Sequence, residues 1–421
     1  MNTSYLSRLL ILIFIVAVCT ACATRPINPS ITKPEGDSKL GFKDIPLVSM
    51  QDKDLVILAF SGGGTRSAAF SYGVLEALRR TQLRNAQGEQ VRLLDSVDII
   101  TSVSGGSFTA LAYRLYGEKL FEEYETRFLK RDIQGELIGR ALNPITWPKL
   151  VSSGWNRSEM AADLYDEILF NGATFADFKN TKGPVVAPSA TDITSGSRFL
   201  FSQTDFDILC SDMSSMRIAR AAAASSAVPV LLSPITLNNY SGQCPSPNSE
   251  WLNYFTKTPN PSRAASRTLE RVKELEGLSQ EPYLHLVDGG VSDNLGLRGV
   301  LDFIYQLEAL QESGADTKLN ELKRIVVVVV NALSNPKTTW AESESPPSSI
   351  SVLLQASGVP IDHYSGEQID ELRDTQARWR TLRQLHDVPV TCLVSSDHFH
   401  LETWAPGFKL LRHSDTNSSG V

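Results

Sequence analysis

Leu55-Val56-Ile57-Leu58-Ala59-Phe60 runs straight into Ser61-Gly62-Gly63-Gly64-Thr65-Arg66, and this stretch decides how the rest of the chain is read. An unbroken apolar run suits a strand buried on both faces of a sheet. The glycines at its end allow a tight turn and leave backbone N–H groups open to an anion. Behind them Phe70, Val74 and Leu78 recur at helical spacing, as far as Arg79-Arg80.

The order strand, glycine turn, helix then repeats. Val97 to Thr101 reads as a strand, Ser102-Val103-Ser104-Gly105-Gly106 as a tight turn, and Phe108 to Leu115 as a helix. Pro184-Val185-Val186-Ala187-Pro188 reads as a third strand, which its prolines restrict to a sheet edge. Residues 217–227 are Ala-rich and helical, Ile325 to Val330 is a β-branched strand, and Leu301-Phe303-Ile304-Leu307-Leu310 marks a helix facing the core. Residues 367–386 are charged and helical, and 388–394 return to a strand. This alternation predicts an α/β fold with a mostly parallel central sheet covered on both sides. The Pro-, Ser- and Asn-rich stretches 241–266 and 334–349 read as surface insertions.

Over 421 residues, 42% hydrophobic and 21% charged content excludes a mainly disordered, collagen-like or polytopic membrane protein. A net charge of −7 without any dense Lys/Arg run gives no reason to bind nucleic acid. Arg8, the apolar run Leu9 to Val18 and the small residues after it form a secretory signal, too short to span a membrane. Two cleavage readings compete. Ala21-Cys22-Ala23 fits ordinary signal peptidase, while Ala21-Cys22 resembles a bacterial lipobox in which Cys22 is lipidated. Residues 1–21 are thus expected to be a signal peptide, and 22–50, with four prolines, an anchor and flexible tether. Cys210 and Cys244 either pair or stay as buried thiols; the cysteine spacing offers no zinc site.

Three places carry chemistry. Ser104, between a strand and a helix and flanked by small residues, has the setting of a nucleophile elbow. Its neighbours Gly105 and Gly106 leave room for the turn, while Ser102 stands at the first position of the Gly-x-Ser-x-Gly pattern. Gly62, Gly63 and Gly64 suit an oxyanion hole better than a phosphate loop, since no Gly-Lys-Ser/Thr follows, and Arg66 is placed to stabilise either the loop or the anion. Asp288 ends the apolar run Leu284 to Val287 and precedes Gly289 and Gly290, a position for a base at the sheet's carboxyl edge. As a base it needs desolvation to raise its pKa.

Together these residues resemble the patatin-like phospholipase family. Gly62-Gly63-Gly64-x-Arg66 matches its oxyanion loop, Ser104 and Gly106 its nucleophile motif, and Asp288-Gly289-Gly290 its Asp-Gly-Gly motif. Ala224-Ser225-Ser226-Ala227-Val228-Pro229 matches a further stretch, and Thr191-Asp192 is similar to another. The resemblance runs from Leu55 to Ala332, with the insertion near 241–280 disturbing it. It departs at Ser67, for the last loop glycine, and at Ser102. It implies a three-layer α/β/α catalytic domain over 51–333, with residues 334–421 as an extension packing on it. It further implies a Ser104–Asp288 dyad without histidine that cleaves acyl esters of phospholipids or related lipids at a membrane surface, with no metal or other cofactor.

Two rival readings remain. A Ser-His-Asp esterase would recruit His398 or His400, and a non-enzymatic envelope lipoprotein would use the fold for partner binding. The location expected is the bacterial cell envelope, lipid-anchored at the outer membrane and periplasmic or surface-facing. Oligomeric state is not legible.

Overall fold

The computed structural model describes residues 25–33, 54–84, 88–150, 154–245, 250–277, 281–314, 324–332, 365–379 and 392–395, with short pieces between 319 and 352. The strands are β1 (Asp54–Phe60), β2 (Gln82–Arg84), β3 (Gln90–Arg92), β4 (Ile99–Val103), β5 (Val185–Asp192), β6 (Arg198–Leu200), β7 (Ile235–Asn238), β8 (Tyr283–Asp288), β9 (Arg324–Asn331) and β10 (Cys392–Ser395). The helices used below are α1 (Gly64–Arg80), α2 (Gly105–Tyr116), α3 (Ile133–Leu142), α4 (Arg157–Tyr165), α5 (Ile218–Ser225), α6 (Glu250–Lys257), α7 (Arg263–Gly277) and α8 (Leu297–Glu312).

The main sheet has the order β10-β9-β1-β4-β5-β8-β7. From β10 to β5 all neighbours are parallel, while β8 runs antiparallel to both β5 and β7, and β6 adds antiparallel to β5. The continuous apolar run of β1 has a direct cause. Val56, Leu58 and Phe60 join a core that includes α1 and α2 side chains, whereas Leu55, Ile57 and Ala59 join one with Leu301 and Ile304 of α8. Alternate residues therefore bury on opposite faces, giving helix, sheet and helix layers. The α/β architecture is the expected one.

The third strand carries Pro188 on an open flank, as its prolines predict. β4 and β8 both pair along one flank of β5, β4 as far as Ser189 and β8 from Ala190 onward. The other flank carries only the short β6, paired from Ser189 to Thr191. The Pro188 carbonyl accepts from Phe201 N–H at 2.9 Å on that β6 flank. Its missing N–H faces the same way, where among the described strands only the end of β6 stands.

The stretch 241–266 is more ordered than its composition suggests. It contains α6 and leads into α7, and Phe255, Ala264, Ala265 and Leu269 are buried. Cys210 and Cys244 form a disulfide that ties this region to the end of the helix Gln203–Ile208. Further on, residues 365–379 are helical, with Leu372 and Trp379 buried and Arg378 paired with the buried Glu308 of α8.

Within the expected tether, residues 25–31 are docked on the body. Asn28 Nδ2 donates to Ser211 Oγ (2.8 Å) and Asn238 O (2.9 Å), and Asn238 N–H donates to Asn28 Oδ1 (2.7 Å). Ile31 N–H reaches Cys210 O at 2.8 Å, and the Arg25 guanidinium lies over the Tyr283 ring. The signal peptide, Cys22 and the rest of the tether lie outside the described residues. No helix among the described residues is long and apolar enough to cross a membrane.

Candidate active site

β5 sets the level of two distant residues. Val103 of β4 pairs with Ser189, and Asp288 of β8 pairs with Ala190, the next residue along. Ser104 follows Val103, so this register brings Ser104 and Asp288 together on one flank of β5, where the ends of β4 and β8 meet. β8 reaches that level from beyond the sheet's carboxyl edge, because it runs against the parallel strands. The Ser104 hydroxyl donates to Asp288 Oδ2 at 2.7 Å, and Gly290 N–H donates to Asp288 Oδ1 at 2.8 Å. Both side chains are buried, Ser104 at 5% exposure and Asp288 at 8%. Burial pushes the Asp288 carboxyl up to about 6, opposed by the Ser104 and Gly290 hydrogen bonds that favour its charged form.

The strand end is fixed by backbone contacts. Asp288 N–H donates to Ala227 O (3.0 Å), Gly289 N–H to Ser225 O (3.1 Å), and Thr191 Oγ1 to Asp288 O (3.0 Å). The turn at Ser104 is sharp. Its φ of 48° and ψ of −119° lie where a side chain costs energy, so surrounding contacts must hold it. Ser104 N–H donates to Ser225 Oγ at 2.9 Å, and Ser107 Oγ shares a 2.8 Å bond with that same hydroxyl. Ser225 lies in the quoted Ala-Ser stretch, but its role as the clamp of the elbow is not legible in the sequence.

Small residues around the elbow are a steric need. A Cβ on Gly105 would overlap the Gly64 carbonyl, lying 2.6 Å from its carbon, and one on Gly106 would lie 2.8 Å from Phe60 Cβ and Ser61 O. A Cβ on Gly289 would meet Ser189 O, and one on Gly290 would lie 3.0 Å from Asp288 Oδ1. Because Gly64 is backbone, Gly105→Ala can be relieved only by moving the glycine loop. It is expected to cost about 1–3 kcal/mol of stability and to lower ester hydrolysis about 10²-fold by displacing the loop amides. Denaturant melts and activity on one ester substrate check both effects.

The two departures from the family pattern are accommodated. Ser102 lies within β4, paired with Phe60 and Pro188, and its φ is not in the left-handed region. Glycine's freedom is therefore not required there, although the Ser102 hydroxyl is buried without a partner. Ser67 uses its side chain: its hydroxyl donates to Ser61 O and ties the first turn of α1 to the loop.

The loop itself divides. Gly63 and Gly64 take φ of 136° and 63°, values that suit glycine, and both are exposed at the start of α1. Their N–H groups come before the helix can use them, so they are free to face an anion. Gly62 differs from its expected role as a donor, because its N–H is spent on Asn294 O at 2.8 Å. Its need for a bare Cα comes from Asn294 Oδ1, which fills the place a Cβ would take. Arg66 takes the first of its two expected roles, stabilising the loop. Its Nε donates to Ala332 O at 3.1 Å, fastening the loop to the end of β9. Asn294 is the residue sequence reading missed, since it joins the Asp-Gly-Gly turn to the glycine loop.

His285 is the one histidine among the described residues; its Nδ1 shares a 3.1 Å bond with Thr236 Oγ1. His398 and His400 lie outside the described residues. In a Ser-His-Asp triad an imidazole separates hydroxyl and carboxylate, whereas here the two oxygens touch. Among the described residues no cluster of three His, Cys, Asp or Glu side chains is placed to hold a metal ion.

A family model described as "Patatin-like phospholipase" matches residues 58–301, which contain every element of the site. No curated protein matches the chain. Among solved structures, human GIVD cytosolic phospholipase A2 is similar at 15% identity and TM-score 0.33, over 69% of this chain and 48% of that one. The same human protein, in complex with methyl gamma-linolenyl fluorophosphonate inhibitor and terbium chloride, is similar at 13% identity and TM-score 0.28, over 69% and 44% of the two chains. The chain spans about half the length of these structures.

Proposed function

The chain belongs to the patatin-like phospholipase family, and on that premise we propose that it hydrolyses acyl esters of phospholipids or related lipids with Ser104 as nucleophile and Asp288 as base. The reading is carried by one observation, the 2.7 Å hydrogen bond from the Ser104 hydroxyl to a buried carboxylate beside the glycine loop. Ser104 Oγ attacks the ester carbonyl carbon while its proton passes to Asp288 Oδ2. The carbonyl electrons move onto oxygen, where the Gly63 and Gly64 N–H groups and the start of α1 stabilise the charge. Collapse of that intermediate breaks the bond to the alcohol, which leaves with the proton from Asp288. Water, deprotonated in turn by Asp288, then releases the fatty acid from acyl-Ser104.

A carboxylate is a weak base, and its burial is what suits it to this task. Only ionised Asp288 accepts the proton, so kcat/KM is expected to rise with pH and to be half-maximal near pH 6. A pH–rate profile on an uncharged ester checks this, and a rate independent of pH between 5 and 7 would remove Asp288 from the role. The overall reading is tested by product analysis on mixed lipids. Fatty acid release that requires Ser104 supports it, and equal release by Ser104→Ala refutes it.

The location forms part of the same proposal. We read residues 1–21 as a signal peptide and Cys22 as a lipidated anchor, giving a lipoprotein of the bacterial outer membrane. The Cys210–Cys244 disulfide supports an oxidising compartment. With Arg25 docked on the body, the leash from Cys22 is three residues, about 10 Å when extended. Such a leash would hold the domain close against the bilayer.

A further inference from the structure

Large apolar side chains are unusually exposed on one short segment. Ile138 is 51% exposed, Leu142 68%, Ile145 83% and Trp147 53%. Ile138 and Leu142 share a face of α3 by their spacing of four, Ile145 lies in the turn that follows, and Trp147 opens the short helix Trp147–Leu150. The turn is firmly built. Ile145 N–H donates to Asn143 Oδ1 (3.0 Å), Thr146 Oγ1 to Arg140 O (2.6 Å), and Trp147 Nε1 to Ala141 O (3.1 Å). The polar edge of the indole is thus satisfied by protein while much of its surface faces outward.

The knob's own segment carries charges of one sign, with Asp163 of α4 beside it accepting from Trp155 Nε1 at 3.0 Å. From Leu137 to Arg157 the sequence holds Arg140, Lys149 and Arg157 and no carboxylate, in a chain whose net charge is −7. Arg140 pairs with Glu167, and the exposed Lys149 lies over the Trp155 ring. Apolar and tryptophan side chains flanked by cations are the chemistry of a segment that seats in a phospholipid surface.

The knob also connects to the candidate site. At the start of α4, Asn156 Nδ2 donates to Pro234 O at 3.0 Å and Ser158 Oγ to Ser233 O. The same segment, 228–234, exposes Val230 and Leu231 and follows Ala227, whose carbonyl accepts the Asp288 N–H. Val230 has a φ of 74°, a costly conformation for a β-branched residue.

We propose that Ile138, Leu142, Ile145 and Trp147, continued by Val230 and Leu231, form the face that inserts into an anionic phospholipid bilayer. This deepens the hydrolase reading by stating how the site meets its substrate, and the insertion itself is testable without catalysis. The purified full chain is reconstituted in vesicles of phosphatidylethanolamine and phosphatidylglycerol. In Leu142→Asp with Ile145→Asp, hydrolysis of vesicle lipid is expected to fall about tenfold or more, because an apolar surface that inserts becomes charged. Turnover of a monodisperse short-chain ester stays at the parent value, which also reports that the variant is folded. In vesicles carrying brominated lipid, the catalytically silent Ser104→Ala chain should show tryptophan quenching, much of it lost when Trp147→Phe is added. Unchanged vesicle hydrolysis, a parallel loss on both substrates, or quenching that ignores Trp147 would overturn the proposal. So would a wild-type dimer that the double variant dissolves, since the face would then join two copies. A wild-type chain that cleaves neither ester fails the hydrolase reading alone, and the quenching then decides the face.

Discussion

Ser104→Ala is expected to reduce ester hydrolysis by about 10⁴-fold or more, because the loop amides remain but no nucleophile is held beneath them. The substitution removes one oxygen from a buried cluster and leaves the Ser225 contact to the backbone N–H in place. Folding should therefore persist, and a circular-dichroism melt near the parent value would separate chemical loss from unfolding. A second consequence follows for Asp288. The Ser104 hydroxyl is one of two hydrogen bonds that lower its pKa against burial. Without it the carboxyl should titrate higher than about 6, a shift measurable by carboxyl-labelled NMR.

Asp288→Asn is expected to lower hydrolysis by about 10²–10⁴-fold, the range for loss of a positioned base. The rising pH limb near 6 should vanish with it. The same variant should be more stable than the parent at alkaline pH. Asp288 has its folded pKa raised from 3.8 to about 6, so the native state binds more protons than the unfolded chain between those values. Its contribution is most favourable below pH 3.8 and is lost as pH rises to 6. Above that, burying the charge costs about 3 kcal/mol, from roughly two pKa units. Asparagine keeps the shape and has no charge to bury. The stability gap between variant and parent should be widest at pH 8 and close toward pH 4, in paired denaturant melts. A variant no more stable than the parent at pH 8 would contradict the raised pKa.

The frame of the fold was legible wherever burial dictated sequence. β1 and β9 are apolar without interruption because each face of the sheet is covered, and the glycines after β1 are fixed by backbone conformation and close approach. Pro188 was a sound guide, because its missing N–H faces the flank of β5 that only the short β6 pairs. The helices α6 and α7 were obscured by polar composition, since a helix packed on one side needs only a few small apolar residues such as Ala264 and Ala265. At the site, Ser104, Asp288 and the glycines stood out by type and spacing. Their partners did not. Ser225 and Asn294 act through hydrogen bonds to Ser104 and Gly62, across 121 and 232 positions, and no local pattern records such contacts. Gly62 reads as an anion donor because the motif is continuous in sequence, yet the loop divides its work, with Gly63 and Gly64 left open while Gly62 and Arg66 are tied to protein.

The central claim is that the Ser104 hydroxyl is activated by Asp288 for attack on an acyl centre. Its most direct test is labelling by an alkyl fluorophosphonate, followed by peptide mass mapping and timed in parent, Ser104→Ala and Asp288→Asn chains. The account predicts one adduct, on Ser104, absent from the alanine variant and formed far more slowly in the asparagine variant. An adduct on another residue, or labelling at the parental rate in Asp288→Asn, would contradict it.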